Sequence, residues 1–163
     1  MTQTYLLLGS NQGNRLQNLK DAKEGLSRKV GNITRESSIY ITAAWGITDQ
    51  PDFLNQVLVM DTPMSAEELL YHLLAIEKQM GRERTYRNAP RLIDIDILFF
   101  GKQHIVTKEL VIPHPRMSQR RFVLAPLNQL APAMKHPVLQ LTMHQLLHQC
   151  TDPLDVKKFS AEG

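Results

Sequence analysis

Hydrophobic and polar positions along the chain alternate between the period of a strand and that of a helix. Tyr5-Leu-Leu-Leu8 is a short apolar run halted by Gly9, as in a buried strand entering a turn, and Asn11-Gln-Gly-Asn14 reads as a loop. From Leu16 the apolar positions recur at Leu19, Ala22, Leu26 and Val30, which predicts a helix over 15–29 closed by Gly31-Asn32. Residues 33–42, with Ile33, Thr34, Ile39, Tyr40, Ile41 and Thr42, predict a strand, and 43–52 a loop that holds the single tryptophan, Trp45. Phe53 to Asp61 predicts a second long strand. Ser65-Ala-Glu-Glu68 is a capping-box pattern opening a helix with the stripe Leu69, Leu73, Ile76, Met80 and a stop at Gly81. Arg82 to Pro90 is polar and basic, Ile93 to Phe100 predicts a strand, and Gly101-Lys102 a turn. Pro113, Pro115, Pro126, Pro132 and Pro137 predict short pieces over 113–137, before a helix over 140–149 and a polar tail over 151–163.

The order strand, helix, two strands, helix, strand is the split βαβ signature, so the predicted class is α/β in the α+β sandwich sense: ferredoxin-like, with helices packed on a mainly antiparallel sheet. A chain of 163 residues matches one domain at about 150 residues per domain. Its 42% hydrophobic and 21% charged residues exclude disorder, collagen-like repeats and a disulfide scaffold for the chain as a whole. The apolar runs Tyr5–Leu8 and Ile97–Phe100 fall far below the roughly 20 residues needed to cross a bilayer, so no membrane span is expected. A start without a signal-peptide pattern and a lone Cys150 point to the cytoplasm.

The sharpest chemical feature is Ile93-Asp94-Ile95-Asp96-Ile97-Leu98-Phe99-Phe100. On a strand Ile93, Ile95, Ile97 and Phe99 face one way, while Asp94 and Asp96 face the other with Cα atoms about 6–7 Å apart. Two carboxylates so placed suit a hard cation with oxygen ligands such as Mg²⁺, and equally describe a half-exposed strand with two solvated acids. The preceding stretch, Arg82 to Arg91, has four arginines against one acid, a net +3 that equals the whole chain's excess. Cationic forks for phosphate beside carboxylates for a metal make a set typical of phosphoryl transfer.

His114 between two prolines, and Arg120-Arg121-Phe122, form a second cluster. His114 suits a phosphate contact or a structured turn, and Phe122 ring stacking or core packing. Thr42, Trp45, Phe53 and Asn55 combine flat apolar surface with a carboxamide, a set able to grip a planar heterocycle by an amide-like edge or to serve as core and loop. Neither G-x-x-x-x-G-K-[ST] nor G-x-G-x-x-G occurs. His144-Gln-Leu-Leu-His148 lacks the glutamate of a zincin helix and reads as the polar side of the last helix.

Taken together, Gly9-Ser10-Asn11, Asp49-Gln-Pro-Asp-Phe-Leu-Asn55, Ile76-Glu77 with Gly81-Arg82, Pro90-Arg91 with Asp94-Ile95-Asp96, and Pro113-His-Pro115 with Arg120-Arg-Phe-Val-Leu124 resemble the 6-hydroxymethyl-7,8-dihydropterin pyrophosphokinase family over about residues 4–149. The resemblance implies a ferredoxin-like fold and transfer of the terminal pyrophosphate of ATP to the dihydropterin hydroxymethyl group, leaving AMP, in folate biosynthesis. It implies two Mg²⁺ ions on Asp94 and Asp96, with ATP as co-substrate. Arg82 and Arg91 would stabilise the transferring group, and Asp96 is a candidate base. Glu77, Arg84, Ile97, His114 and Arg120, with those two arginines, fall at nucleotide-binding positions. Phe53 and Phe122 would sandwich the pterin, with Asn55, Thr42 and Ala43 reading its edge and Trp45 covering it. The implied partners are small molecules alone, with no nucleic acid, membrane or obligate protein partner.

The sequence departs from the family pattern at Leu74, Asn88, Glu109, Ala43 and Trp45, and its arginine segment is one residue shorter. These departures bear on the adenine contacts, the loop and the pterin lid, not on the metal pair. A basic ferredoxin-like nucleic-acid module is the rival from another class, but acids on its central strand would repel phosphate unless a metal intervened. A catalytically inert domain is the third reading.

Overall fold

The computed structural model describes residues 1–43, 51–81 and 92–160. In chain order the elements are β1 (Thr2–Ser10), α1 (Arg15–Lys29), β2 (Asn32–Glu36), β3 (Tyr40–Thr42), β4 (Phe53–Thr62), α2 (Ala66–Gln79), β5 (Asp94–Phe100), β6 (Ile105–Val106), β7 (Val111–Ile112), α3 (Arg121–Leu130), α4 (Met143–Gln149) and β8 (Val156–Lys158). The predicted order is present: β1, α1, the β2–β4 ribbon, α2, β5.

Among the described residues the main sheet runs β5-β1-β4-β3-β8, with β2 also paired to β4, and every pairing is antiparallel. The predicted strand 33–42 is two strands. Ser37 interrupts it and turns its hydroxyl to the ladder, accepting from the Val57 amide at 3.0 Å while its own amide donates to the Val57 carbonyl.

Helices α1 and α2 cover one face. Leu19, Ala22 and Leu26 of α1 and Leu69, Leu73 and Ile76 of α2 meet Leu6, Leu8, Leu54, Leu58, Ile95 and Ile97 of the sheet. Asn14 caps α1 by accepting from the Gln17 amide, and Ser65 with Glu68 closes the predicted capping box on α2. Leu16, placed on the α1 stripe by its spacing, is instead exposed at the first turn.

The opposite face carries Tyr5, Leu7, Val57, Val59, Leu98 and Phe99 under Val123, Leu124, Leu127, Met143 and Leu146 of α3 and α4. Phe99 is a correction to the strict alternation predicted for 93–100. Tyr5 pairs with Phe99 and Leu6 with Ile97, so a bulge takes up Leu98 and turns Phe99 toward α3 and α4 and Phe100 toward α1 and α2.

Two further expectations are corrected. Pro126 lies inside α3 rather than breaking it, because Leu124, Leu127 and Leu130 bury the helix on the sheet face and outweigh one lost backbone hydrogen bond. The tail 151–163 is not simply polar chain, since Val156–Lys158 extends the sheet beside β3 and the Phe159 amide donates to the Ile39 carbonyl. The last helix begins at Met143, where Thr142 and Gln145 form a capping box that the sequence reading overlooked.

Candidate active site

Antiparallel pairing brings the C-terminal ends of β1 and β3 to one rim with the N-terminal ends of β4 and β5. The register there reads Asp94–Gly9–Asn55–Tyr40 across the four strands, and one pleat further in Asp96–Leu7–Val57. Since Leu7, Val57 and Leu98 face α3 and α4, strand alternation turns Asp94, Asp96 and Asn55 to that side too. The acid pair therefore shares a sheet face with Asn55, two strand spacings or about 10 Å away.

Gly9 lies between them. A Cβ built there would sit 2.9 Å from Asn55 Oδ1 and 3.7 Å from the Phe53 ring, so the absence of a side chain is what lets Asn55 and Phe53 close onto β1. Asn55 and Thr42 are each only 3% exposed, yet Asn55 Nδ2 and Thr42 Oγ1 have no hydrogen-bond partner among the described residues. Burying such groups unpaired costs free energy, so an unpaired donor beside an unpaired hydroxyl suits a ligand with an amide-like edge. Ala43 follows Thr42 at the exposed end of β3.

Asp94 is half-buried and Asp96 exposed, so both reach water at the rim. Their hard oxygens, open to solvent, fit Mg²⁺, which keeps several waters and takes its other ligands from phosphate. No group of three or more His, Cys, Asp or Glu side chains comes together among the described residues, and a Mg²⁺ shell completed by substrate and water needs none. Glu77, 4% exposed on α2, accepts the Ile95 amide at 2.9 Å and so fixes β5 between the two aspartates. Ile97 is buried in the α1/α2 core, leaving its backbone for any nucleotide contact.

Arg120 and Phe122 stand at the start of α3, with the guanidinium carbon 5.8 Å from the ring centroid. Burial, then Arg116, pulls Arg120 below its ordinary range, while Asp96 and Asp152 push it back up. Its guanidinium is within electrostatic reach of Asp96. The cis Ile112-Pro113 bond precedes His114, whose amide donates to the Leu98 carbonyl of β5. His114 Nδ1 accepts the Arg116 amide at 3.4 Å, which leaves the ring proton on Nε2. Burial first, then Arg120 and Arg116, holds His114 below 6.5, so it is a neutral donor at pH 7.

Residues 5–132 match the family model of 7,8-dihydro-6-hydroxymethylpterin-pyrophosphokinase. The chain belongs to this pyrophosphokinase family. It is 39% identical over 138 residues to the 2-amino-4-hydroxy-6-hydroxymethyldihydropteridine pyrophosphokinase of Aquifex aeolicus, covering 85% of this chain and 86% of that one. It is 38% identical over 148 residues to a folic acid synthesis protein of Pneumocystis carinii, covering 91% of this chain and 20% of that one. The fold matches the Plasmodium falciparum HPPK-DHPS crystal structure with a TM-score of 0.75 at 19% identity, over 91% of this chain and 43% of that one. The chain thus spans a fifth of the fungal relative and under half of the Plasmodium chain.

Of the residues singled out in the pyrophosphokinase motifs, the structure brings Asp94, Asp96, Thr42, Phe53 and Asn55 to one rim. Arg120 reaches it by its charge, and His114 is tied to β5 behind it. Arg82, Arg84, Arg91, Asn88 and Trp45 lie outside the described residues. Leu74 is exposed on α2, as is Glu109 before β7. Two features escaped the reading of the sequence. One is Gly9, seen as a strand stop rather than as the floor between two subsites. The other is the pair Ser10 and Asn18, which donate to the Leu92 carbonyl and anchor the chain where the arginine segment joins β5. A small residue between a buried strand and a polar turn was the available signal for Gly9. Asn18, one polar position on a helix, carried none.

Proposed function

We propose that this chain transfers the terminal pyrophosphate of ATP to the hydroxymethyl group of 6-hydroxymethyl-7,8-dihydropterin, giving AMP and the pterin diphosphate in folate biosynthesis. The observation that carries the reading is the single sheet face on which two solvent-reaching carboxylates lie across one glycine-bearing strand from a buried carboxamide, with a buried hydroxyl on the next strand beyond it, both without partners among the described residues. A pterin is flat and bears an amide-like edge, so it suits the Asn55 and Thr42 groups, with Phe53 and Phe122 against its faces. Ala43 and Trp45 complete that subsite. The nucleotide subsite takes Glu77, Arg84, Ile97, His114 and Arg120 with Arg82 and Arg91.

When bound, Mg²⁺ would supply charge neutralisation to the phosphates. Asp94 and Asp96 would hold it, and we assign two ions to the pair. Asn55 and the aromatic walls fix the hydroxymethyl carbon facing the acids, so the reacting groups meet with their entropy of approach already lost. Arg82 and Arg91 offset the charge that builds on the transferring group. His114 donates from Nε2 without carrying charge. The proton of the attacking hydroxyl passes to Asp96 or to water at the exposed rim. No helix of the described residues is long and apolar enough to cross a membrane. We place the reaction in the cytoplasm, with small molecules as its partners.

The test incubates the protein with ATP, Mg²⁺ and the dihydropterin and measures AMP, omitting metal or pterin in turn. AMP that requires both is the expected result. ADP in place of AMP would keep a phosphate site and discard pyrophosphoryl transfer.

A further inference from the structure

Residues 150–159 lie beyond the 5–132 family match, and in the structure they strap two walls of the site together. At one end Asp152, only 5% exposed, accepts the Arg121 amide on Oδ2 at 2.9 Å and the Leu154 amide on Oδ1 at 3.0 Å. The Arg121 guanidinium returns the grip, donating to the carbonyls of Cys150 at 3.1 Å and Asp152 at 3.0 Å. At the other end β8 pairs with β3, setting Val156 opposite Thr42 and Lys158 opposite Tyr40.

The two anchors belong to different elements. Helix α3 carries Phe122, while β3 carries Thr42. The residue at the helix cap, Arg120, makes no side-chain capping bond and has no acceptor to offer, so the first amide of α3 is satisfied from a carboxylate 31 residues along the chain. A negative group there also meets the positive end of the helix dipole and the Arg120 charge. The far end of α3 is already tied to the β3 side: Gln129 Oε1 accepts from the Ser38 amide at 3.0 Å and from the Tyr40 hydroxyl at 2.8 Å. With that end fixed, the Asp152 cap decides where the other end, and so the Phe122 ring, stands relative to Thr42 and Asn55.

We infer that Asp152 is a positioning residue for the pterin: by capping α3 from the strap, it sets the gap between Phe122 and Phe53 into which the flat ring slides, its edge toward Asn55 and Thr42. The inference rests on the pterin reading of that pocket. Asp152 differs from the acid pair in acting through α3, whose first amide it accepts, with its charge felt by Arg120 as well.

The experiment compares the full chain with Asp152→Ala, Asp152→Asn and Arg121→Met in steady-state kinetics, varying dihydropterin and ATP separately, with thermal melts as a check on folding. Asp152→Ala should raise the dihydropterin KM about tenfold, and leave kcat and the ATP KM within about threefold, as expected when ground-state binding of one substrate is lost. Asp152→Asn keeps an oxygen for the Arg121 amide and should restore the dihydropterin KM to within about threefold of wild type. Arg121→Met frees the Cys150 and Asp152 carbonyls while leaving the cap, and should raise the same KM by a smaller factor. If Asp152→Ala does not fold, Arg121→Met alone decides. A dihydropterin KM that does not move, or kcat and both KM values moving together, overturns the inference while wild-type AMP production stands. Wild-type protein that makes no AMP from the dihydropterin overturns the pterin reading itself, and the inference with it.

Discussion

Asp94 and Asp96 share a strand face and differ in surroundings, one half-buried beside Gly9 and one exposed beside Leu7. If the pair holds Mg²⁺ as proposed, Asp96→Asn, which keeps the shape and removes the charge, should lower kcat by at least about 100-fold at saturating Mg²⁺. Wild-type turnover in that variant would remove the metal pair from the mechanism. Gly9→Ala tests the floor between the subsites. A methyl 2.9 Å from Asn55 Oδ1 must displace the carboxamide, which is buried and has to turn away from its place to make room. We expect the dihydropterin KM to rise by about tenfold or more with the ATP KM little changed, measured with each substrate varied in turn. At this scale the sequence was most informative where residue type and spacing fix which side chains share a face. The Asp-x-Asp strand and the carboxamide of Asn55 could be read from residue type and spacing. Gly9 could not, because its contribution is empty space, visible only once β4 is laid beside β1.

Among the elements, α1 was readable from the helical spacing of Leu19, Ala22 and Leu26, its Asn14 cap being read only as loop, and α2 because the spacing of Leu69, Leu73 and Ile76 agrees with the cap at Ser65. Removing the second cap by Ser65→Ala should destabilise the protein by about 1 kcal/mol in denaturant melts and leave kcat and both KM values unchanged. Altered kinetics would mean that α2 transmits its first turn to Glu77 and β5. The elements that escaped prediction depend on partners far along the chain. The bulge that reverses Phe99 is set by Tyr5 and Leu6 across the ladder, and no local feature of 93–100 announces it. Helix α3 tolerates Pro126 because its leucines find the Tyr5, Leu7 and Val57 face, and its cap comes from Asp152. Strand β8 has only three residues, two of them lysines, and needs the free edge of β3 to exist at all.

At the scale of the molecule, helices cover both sheet faces and a single rim collects the chemistry, so conditions that loosen the α3 and α4 layer also reach the site. Two histidines connect that layer to pH. His114 is held below 6.5 by burial and by Arg120 and Arg116, and His136 by burial and by His104. His136 Nδ1 accepts the Val138 and Leu139 amides at 3.2 and 3.1 Å, and its ring meets Phe99 edge-on, so a proton on that nitrogen would break the turn between α3 and α4. In the unfolded chain both rings take up protons as the pH falls through 6.5, while in the folded chain they resist until a lower pH. The unfolded state then binds more protons, and stability is lost as the pH falls below 6.5 and is fully present above it. The melting temperature should therefore decline between pH 7 and pH 5, above the range where most carboxylates titrate. In the double variant His114→Asn with His136→Asn the decline should be shallower over the same window, whatever the variant's stability at pH 7. An equally steep decline would assign the acid sensitivity to other groups and leave these rings as neutral hydrogen-bonding parts of the layer.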